Sequence, residues 1–295
     1  MTRGGPWVPA LYALICLIWG STWLVIKVGL VGVPPFLGAG LRFALAATVL
    51  FGLLAARGTK IRLDSNGKYA VWSCGLLGFT VSYSCVYWSE QYISSGLAAI
   101  LYCTMPLATA LLSRFWMKSE ALSARKIAGI VVAMSGTAVL FWPSESVARE
   151  QVVGMAVAFV SVLASAANLV SVKKYGKDLD VFVMNALGMT IGAALLLCLS
   201  AVFERGAVVA WSAANVAAIV YLGVIGSVAA FLSYYSLVKV MDATRLSLIT
   251  LIFPLVAVLL GWAVLHEAFP PGARAGMAAV VLGVAIAIVP VPRRG

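Results

Sequence analysis

Ten apolar runs of bilayer-crossing length, separated by gaps too short to fold on their own, constrain this 295-residue chain more than any other feature. A helix needs about 20 predominantly apolar residues to cross the hydrocarbon core. Runs of that length fall near residues 7–28, 36–56, 69–90, 96–116, 125–142, 152–172, 182–203, 214–237, 246–265 and 274–291. The gaps carry breaker residues: Pro34-Pro35, Asp64-Ser65-Asn66-Gly67, Pro143, Gly176-Lys177-Asp178 and Pro270-Pro271-Gly272. Charged residues make up only 11% of the chain, against about 25% in an ordinary soluble domain. Membrane lipid is therefore the solvent for much of the surface. The first run is longer than the apolar stretch of a signal peptide and lacks an A-x-A-like site after it, so it reads as a permanent helix.

The net charge of +11 is not a nucleic-acid footprint, because the basic residues cluster in alternate gaps. One side collects sixteen lysines and arginines, with Arg57, Lys60, Arg62 and Lys68 in a single gap; the other side holds only Lys27, Arg149, Arg205 and Arg274. Positive residues favour cytoplasmic loops. The alternation supports the span count and places both termini in the cytoplasm, in a plasma (inner) membrane.

Spans three and four align with spans eight and nine at an offset of 148: Gly75 with Gly223, Gly78 with Gly226, Tyr87 with Tyr235, Pro106 with Pro254. At 147 the alignment continues, Glu120-Ala121 with Glu267-Ala268, Gly129 with Gly276 and Gly136 with Gly283. The fold class that follows is an all-α integral membrane protein of ten transmembrane helices in two five-helix repeats, residues 1–148 and 149–295. Five is odd, so the second repeat enters the membrane from the opposite side. Inverted repeats recur in secondary transporters, where the two halves exchange conformations to open a central site alternately to each side.

Candidate site residues lie on polar and aromatic faces. Span three offers Thr80, Tyr83, Ser84, Tyr87 and Trp88 at i, i+3, i+4, i+7 and i+8. Span one offers Trp19, Thr22 and Trp23, with Ser21 alongside; span four offers Tyr102; span six offers Ser161, Ser165 and Asn168; span eight offers Phe231, Tyr234 and Tyr235. Polar groups in lipid are costly and face the bundle interior or a wet cavity. Rings with a few hydroxyls suit a ligand with a flat apolar body and polar groups. The competing reading is ordinary packing. For Trp7, Tyr69, Trp72, Trp88, Tyr92, Trp142 and Trp211, near span ends, the interfacial belt is the better account. Pro106 and Pro254 read as paired hinges or as tolerated kinks. Arg42, inside span two, either meets a substrate carboxylate or serves structure by snorkelling or bonding a carbonyl, and the structural role leads. Small-residue spacings at Gly188 and Gly192, and on spans five and ten, serve helix contacts within one chain or between two, leaving the oligomeric state open.

The absences narrow the chemistry. Nine of the ten acids fall in gaps and Glu90 falls at a span end, so a mid-membrane proton relay has no evident place. The only histidine, His266, sits in a turn. The phosphate-cradling GxxxxGK[ST] and the catalytic HExxH and GxSxG strings are missing. Cys16, Cys74, Cys85, Cys103 and Cys198 show no metal-ligand spacing. An enzyme, a bound metal and a cofactor are not expected.

Trp19-Gly20-Ser21-Thr22-Trp23 in span one and Leu41-Arg42-Phe43 in span two, together with Tyr87, Pro106, Glu120 and their repeats, resemble the EamA-type transporters of the drug/metabolite transporter superfamily. Within it the chain is most similar to bacterial inner-membrane exporters of aromatic amino acids. The resemblance spans the whole chain and implies a substrate cavity between two inverted halves. It departs at span six, where Ala166-Ala167-Asn168 stands without a Trp-Gly-Ser-Thr-Trp string. The functional expectation is export of small metabolites, aromatic or neutral amino acids first, by alternating access, with Trp19, Ser21, Thr22, Trp23, Tyr83, Tyr87, Tyr102, Asn168 and Tyr235 as the binding residues. The alternative is a multidrug or cationic-compound exporter. Cysteines placed singly at positions 120 and 267 are expected to react with a membrane-impermeant reagent from opposite sides; labelling from one side would overturn the inversion.

Overall fold

The loop polar residues start the helices. Asp64 accepts from the Gly67 amide at 2.7 Å, Asp180 from the Phe182 and Val183 amides at 2.8 and 3.2 Å, and Ser212 from the Asn215 amide at 3.1 Å. Each satisfies donors that the first helical turn leaves without a partner. The computed structural model describes residues 7–93, 98, 101–117, 123–140, 149–253, 255–256, 259 and 273–288. Its helices are α1 (Trp7–Leu30), α2 (Pro35–Ala56), α3 (Ser65–Ser89), α4 (Met105–Trp116), α5 (Ala124–Leu140), α6 (Arg149–Tyr175), α7 (Val181–Phe203), α8 (Ala213–Val240), α9 (Ala243–Phe253) and α10 (Ala273–Ile288). Among the described residues, six of these (α1, α2, α3, α6, α7 and α8) are long and apolar enough to cross a membrane. Pro254, Glu120, Glu267, His266 and Trp142 lie outside the described residues.

The surface is inverted relative to a soluble protein. Leu17 is 59% exposed and Phe115 77%, while Arg42 is 1% exposed. Apolar side chains face outward where lipid would solvate them, and polar ones turn in. Trp7, Tyr69, Trp72, Tyr92 and Trp211 are exposed near helix ends, as interfacial anchors would be.

The repeats are inverted, and the contacts between equivalent helices show it directly. Along α2 and α7, the Phe36 and Leu37 amides donate to the Glu204 carboxylate at 2.7 and 3.0 Å, Gly40 abuts Leu197, and Arg57 faces Asp180 at 3.9 Å. Position numbers rise on one helix as they fall on the other, so the two run antiparallel. Along α5 and α10, a methyl on Gly129 would stand 2.6 Å from the Ala287 amide nitrogen, and one on Gly136 would stand 2.7 Å from the Gly276 carbonyl. The small residues of these spans therefore bring two backbones of one chain into contact. Gly188 and Gly192 likewise admit Cys74 and Phe79 of α3.

Both repeats also carry the same irregularity. Helix α3 runs as a π-helix over Cys74–Val81, and α8 does so over Val224–Ala229. A π segment adds a residue to the turn and shifts the angular phase of everything beyond it. α1 crosses α8 with Trp19 against Gly226, just as α6 crosses α3 with Asn168 against Gly78. The main core gathers α1–α3 and α6–α8 with Met105 of α4 and one side of α9, while a second cluster of Cys103, Ile130, Leu248, Leu251 and Val284 joins the α5–α10 pair to α9 and to the segment before α4.

Helix α2 begins at Pro35 after Pro34, with no side chain of its own to cap it, so Glu204 from α7 supplies that cap across the repeat interface. Glu204→Ala is expected to lower stability by about 1 kcal/mol, read as an earlier thermal unfolding midpoint in detergent. An unchanged midpoint would mean that the carboxylate does not hold α2 to α7.

Candidate functional site

The π segment of α8 positions the most polar group in the bundle. Arg42 from α2 reaches it with Nη2 donating to the Gly226 carbonyl at 3.1 Å and Nε donating to the Ser227 hydroxyl at 2.8 Å. Its Nη1 points to the Tyr87 hydroxyl at 3.5 Å, the limit of a hydrogen bond. The guanidinium carbon lies 4.9 Å from the Tyr83 ring centroid and 5.4 Å from that of Phe43, a cation–π arrangement. Among the described residues, no carboxylate lies within ion-pair distance of it. Arg42 thus keeps a net positive charge in a region of low dielectric.

That guanidinium borders a cavity of about 100 Å³ enclosed by α1, α3, α4, α6, α8 and α9, roomy enough for several waters. One wall is aromatic. Trp19 donates Nε1–H to the same Gly226 carbonyl at 3.2 Å, and its ring lies 5.0 Å from Phe231, 5.0 Å from Tyr234 and 5.8 Å from Phe253. Trp23 meets Tyr102 edge-on at 5.3 Å. The other wall is polar. The Ser82 hydroxyl bonds those of Ser165 at 2.7 Å, Ser161 at 3.0 Å and Tyr102 at 3.3 Å, and Tyr102 also bonds Ser161. Asn168 donates to the Tyr235 hydroxyl at 2.8 Å and accepts from Ser73 at 3.2 Å. Its amide fits because Gly78 has no side chain: a methyl there would stand 2.6 Å from Asn168 Nδ2.

Of the expected binding residues, Trp19, Thr22, Trp23, Tyr83, Tyr102, Asn168 and Tyr235 border this cavity. Ser21 does not; its hydroxyl turns to Tyr221 on α8, 2.7 Å away, and to the Ile18 carbonyl. Tyr87 does not either; it is buried behind Arg42. The single polar face expected on span three does not form as drawn. Thr80 and Ser84 bond carbonyls of their own helix, and Trp88 packs on Tyr92; the π segment sets Thr80 out of phase with the α-helical residues that follow it. Ser82 comes into the cavity instead, beside Tyr83. Phe231, Tyr234, Ser247 and Thr250 also border it. Of these, Phe231 was legible as the repeat counterpart of Tyr83 and Tyr234 as the residue adjacent to Tyr235, while the two hydroxyls on α9 carried no periodic signal.

Pro106 lies in the first turn of α4, after a break at Cys103–Thr104. Proline suits that position, where the missing N–H has no helical partner. The expected mid-span kink is therefore a broken helix, with Tyr102 on one side of the break and Met105 on the other, both at the cavity.

Glu90 also departs from expectation. Although it follows the last turn of α3, it is 2% exposed, and neither carboxylate oxygen has a hydrogen-bond partner.

Gly78→Ala is expected to turn Asn168 aside and break its bond to Tyr235, at about 1 kcal/mol of stability, measured by thermal unfolding. An unaltered midpoint would show that this contact does not hold α6 to α8.

Comparison with known proteins places this geometry. The EamA-like transporter family matches twice, at residues 7–142 and 152–289. Protein PagO of Salmonella typhimurium is 29% identical over 252 residues, covering 85% of this chain and 83% of that protein. YoaV, an uncharacterized transporter of Bacillus subtilis, is 26% identical over 254 residues, covering 86% of this chain and 87% of its own. A transporter of Chlamydia trachomatis named for S-adenosylmethionine and S-adenosylhomocysteine is 28% identical over 288 residues, covering 92% and 85%. A solved crystal structure shares the fold with a TM-score of 0.80 over 97% of both chains at 23% identity. With two copies of the family unit filling nearly all of its length, the chain belongs to the EamA-like transporter family and is a multi-pass membrane transporter, not an enzyme.

Proposed function

We propose that this transporter exports small metabolites carrying a flat apolar body and a carboxylate, aromatic or neutral amino acids first, across the bacterial inner membrane, with both termini in the cytoplasm. The observation that carries this reading is the pairing of an aromatic wall with an arginine that, among the described residues, has no carboxylate partner. The rings of Trp19, Trp23, Tyr102 and Phe231 would take the side chain of such a substrate. Arg42 would take its carboxylate, since an ionised acceptor makes the stronger hydrogen bond. Asn168, Thr22 and the Ser82–Ser165 pair would supply neutral polar contacts. The Chlamydia relative supports the same class, because both molecules in its name carry a purine ring and an α-amino acid carboxylate, although S-adenosylmethionine also bears a sulfonium charge. A cationic or multidrug substrate without a carboxylate fits less well, since it would meet the guanidinium and have no group to pair with it.

Movement follows from the symmetry. The halves 1–148 and 149–295 would exchange conformations to open the cavity to either side, bending at the break before Pro106 and at Pro254. Flux would be driven by the substrate gradient or by exchange.

The test is counterflow in proteoliposomes against a panel of amino acids. Saturable flux of tryptophan, tyrosine or phenylalanine is expected, with Arg42→Gln raising KM by about tenfold or more, as loss of a charge-assisted bond of roughly 1.5–3 kcal/mol requires. Saturable flux of lipophilic cations alone, indifferent to Arg42, would overturn the reading.

A further inference from the structure

We infer that Glu90 is a proton-binding site whose protonation raises the cavity's affinity for a carboxylate, so that a proton moves with the substrate. The carboxyl group is buried, and neither oxygen is hydrogen-bonded. A buried carboxylate in that state is costly, and taking up a proton removes the charge without any rearrangement of the helices.

The surroundings tie this group to the cavity. Glu90 stands one helical turn from Tyr87 on the same face of α3, and the Tyr87 hydroxyl stands opposite the guanidinium of Arg42. The positive groups whose fields reach Glu90 are Lys27 on α1 and Arg42 on α2. Neither comes within ion-pair distance of it. The Lys27 ammonium points to the Ile93 carbonyl at 3.4 Å. At the start of α6, which packs along this end of α3 through Gly154, the charged residues are Arg149 and Glu150, both exposed; Lys173 and Lys174 lie at its far end. The array is thus one buried acid between two cations, and one of those cations borders the cavity.

Its electrostatics are reciprocal. With Glu90 ionised, its negative charge offsets part of the field of Arg42, and an incoming carboxylate is held less well. With Glu90 neutral, Arg42 presents its whole charge to the cavity. By linkage, a bound carboxylate must raise the affinity of Glu90 for a proton by the same factor. The proton comes from water, binds one carboxylate oxygen, and leaves to water when the anion has gone. No bond to the substrate forms or breaks. The sign is symport, so acid on the side to which substrate is released opposes net efflux.

This inference rests on the proposal that Arg42 receives a substrate carboxylate, and the experiment separates the two. Infrared difference spectra of the purified protein across a pH titration report the carboxylic acid band directly. A protonated-carboxyl band that grows in as pH falls and is absent in Glu90→Gln is expected, and bound substrate is expected to move its appearance to higher pH. In proteoliposomes, KM for the transported amino acid is expected to fall by at least ~5-fold from alkaline to acid pH. Glu90→Gln is expected to hold KM near the acid value throughout. Exchanging sodium for choline is expected to change neither. Lack of that band at every pH, or a Glu90→Gln protein whose KM follows pH as the wild type's does, would overturn the proton site. A KM that follows sodium instead would replace the proton by a metal cation. If no amino acid is carried at all, the substrate reading falls and the infrared band alone decides the proton site.

Discussion

A guanidinium buried in the middle of a helix bundle sets the terms for everything around it. Arg42 is almost without solvent contact, and its positive charge has to be met by dipoles and ring faces. The carbonyl of Gly226, the hydroxyl of Ser227 and the phenol of Tyr87 meet it. These partners come from α8 and α3, so the charge ties three helices of two repeats together. Dipoles stabilise a cation without cancelling it. The cavity beside Arg42 is therefore lined by aromatic rings and bordered by a positive charge, the pairing on which the proposed substrate class rests.

The frame that holds this charge is symmetric, but the site is not. Gly78 and Gly226 occupy equivalent places in the π segments of α3 and α8, and each lets a facing helix approach closely. What arrives differs: Asn168 at Gly78, and Trp19 with Thr22 and Arg42 at Gly226. The polar serine and tyrosine cluster lies on the first side, and the aromatic wall on the second. Inversion requires only that the backbones of the halves be interchangeable. The side chains are free to diverge, so one cavity can grip a molecule whose two ends differ.

The spans, the inversion and the small-residue contacts were legible in the sequence, because all three rest on simple periodicities: run length, a constant offset, and glycine recurring on one helix face. Gly129, Gly136, Gly276 and Gly283 are the clearest instance, since backbone contact between α5 and α10 tolerates nothing larger. The site was legible only in part, and the reason is local. Projecting Thr80, Tyr83, Ser84, Tyr87 and Trp88 onto one face assumes 3.6 residues per turn throughout span three. Cys74–Val81 is instead π-helical, so Thr80 is out of phase with the α-helical residues after it, and along those the cavity face passes through Ser82, Tyr83 and Val86 rather than Tyr87. Ser21 stands away from the cavity for another reason. Its neighbours Thr22 and Trp23 face the cavity, and adjacent residues on a helix point about 100° apart, which sends Ser21 toward Tyr221. Burial of Glu90 had no sequence signature, because it depends on tertiary packing at the end of α3, where Gly154 of α6 meets Ser89, Tyr92 and Ile93.

The irregular helices share a location, and that has a mechanical meaning. The π segments of α3 and α8 and the break in α4 before Pro106 all border the cavity or abut it. Backbone departures of this kind cost less to rearrange than a regular α-helical ladder, and they recur at functional sites. α5 and α10, by contrast, are α-helical throughout the described residues, held backbone to backbone by glycines and served by a hydrophobic cluster of their own. A contact at that distance admits sliding or separation only with loss of the whole interface. In the proposed alternating-access cycle, α3, α4 and α8 would bend where they already depart from regularity, while the close α5–α10 contact, one helix from each half, would stay together.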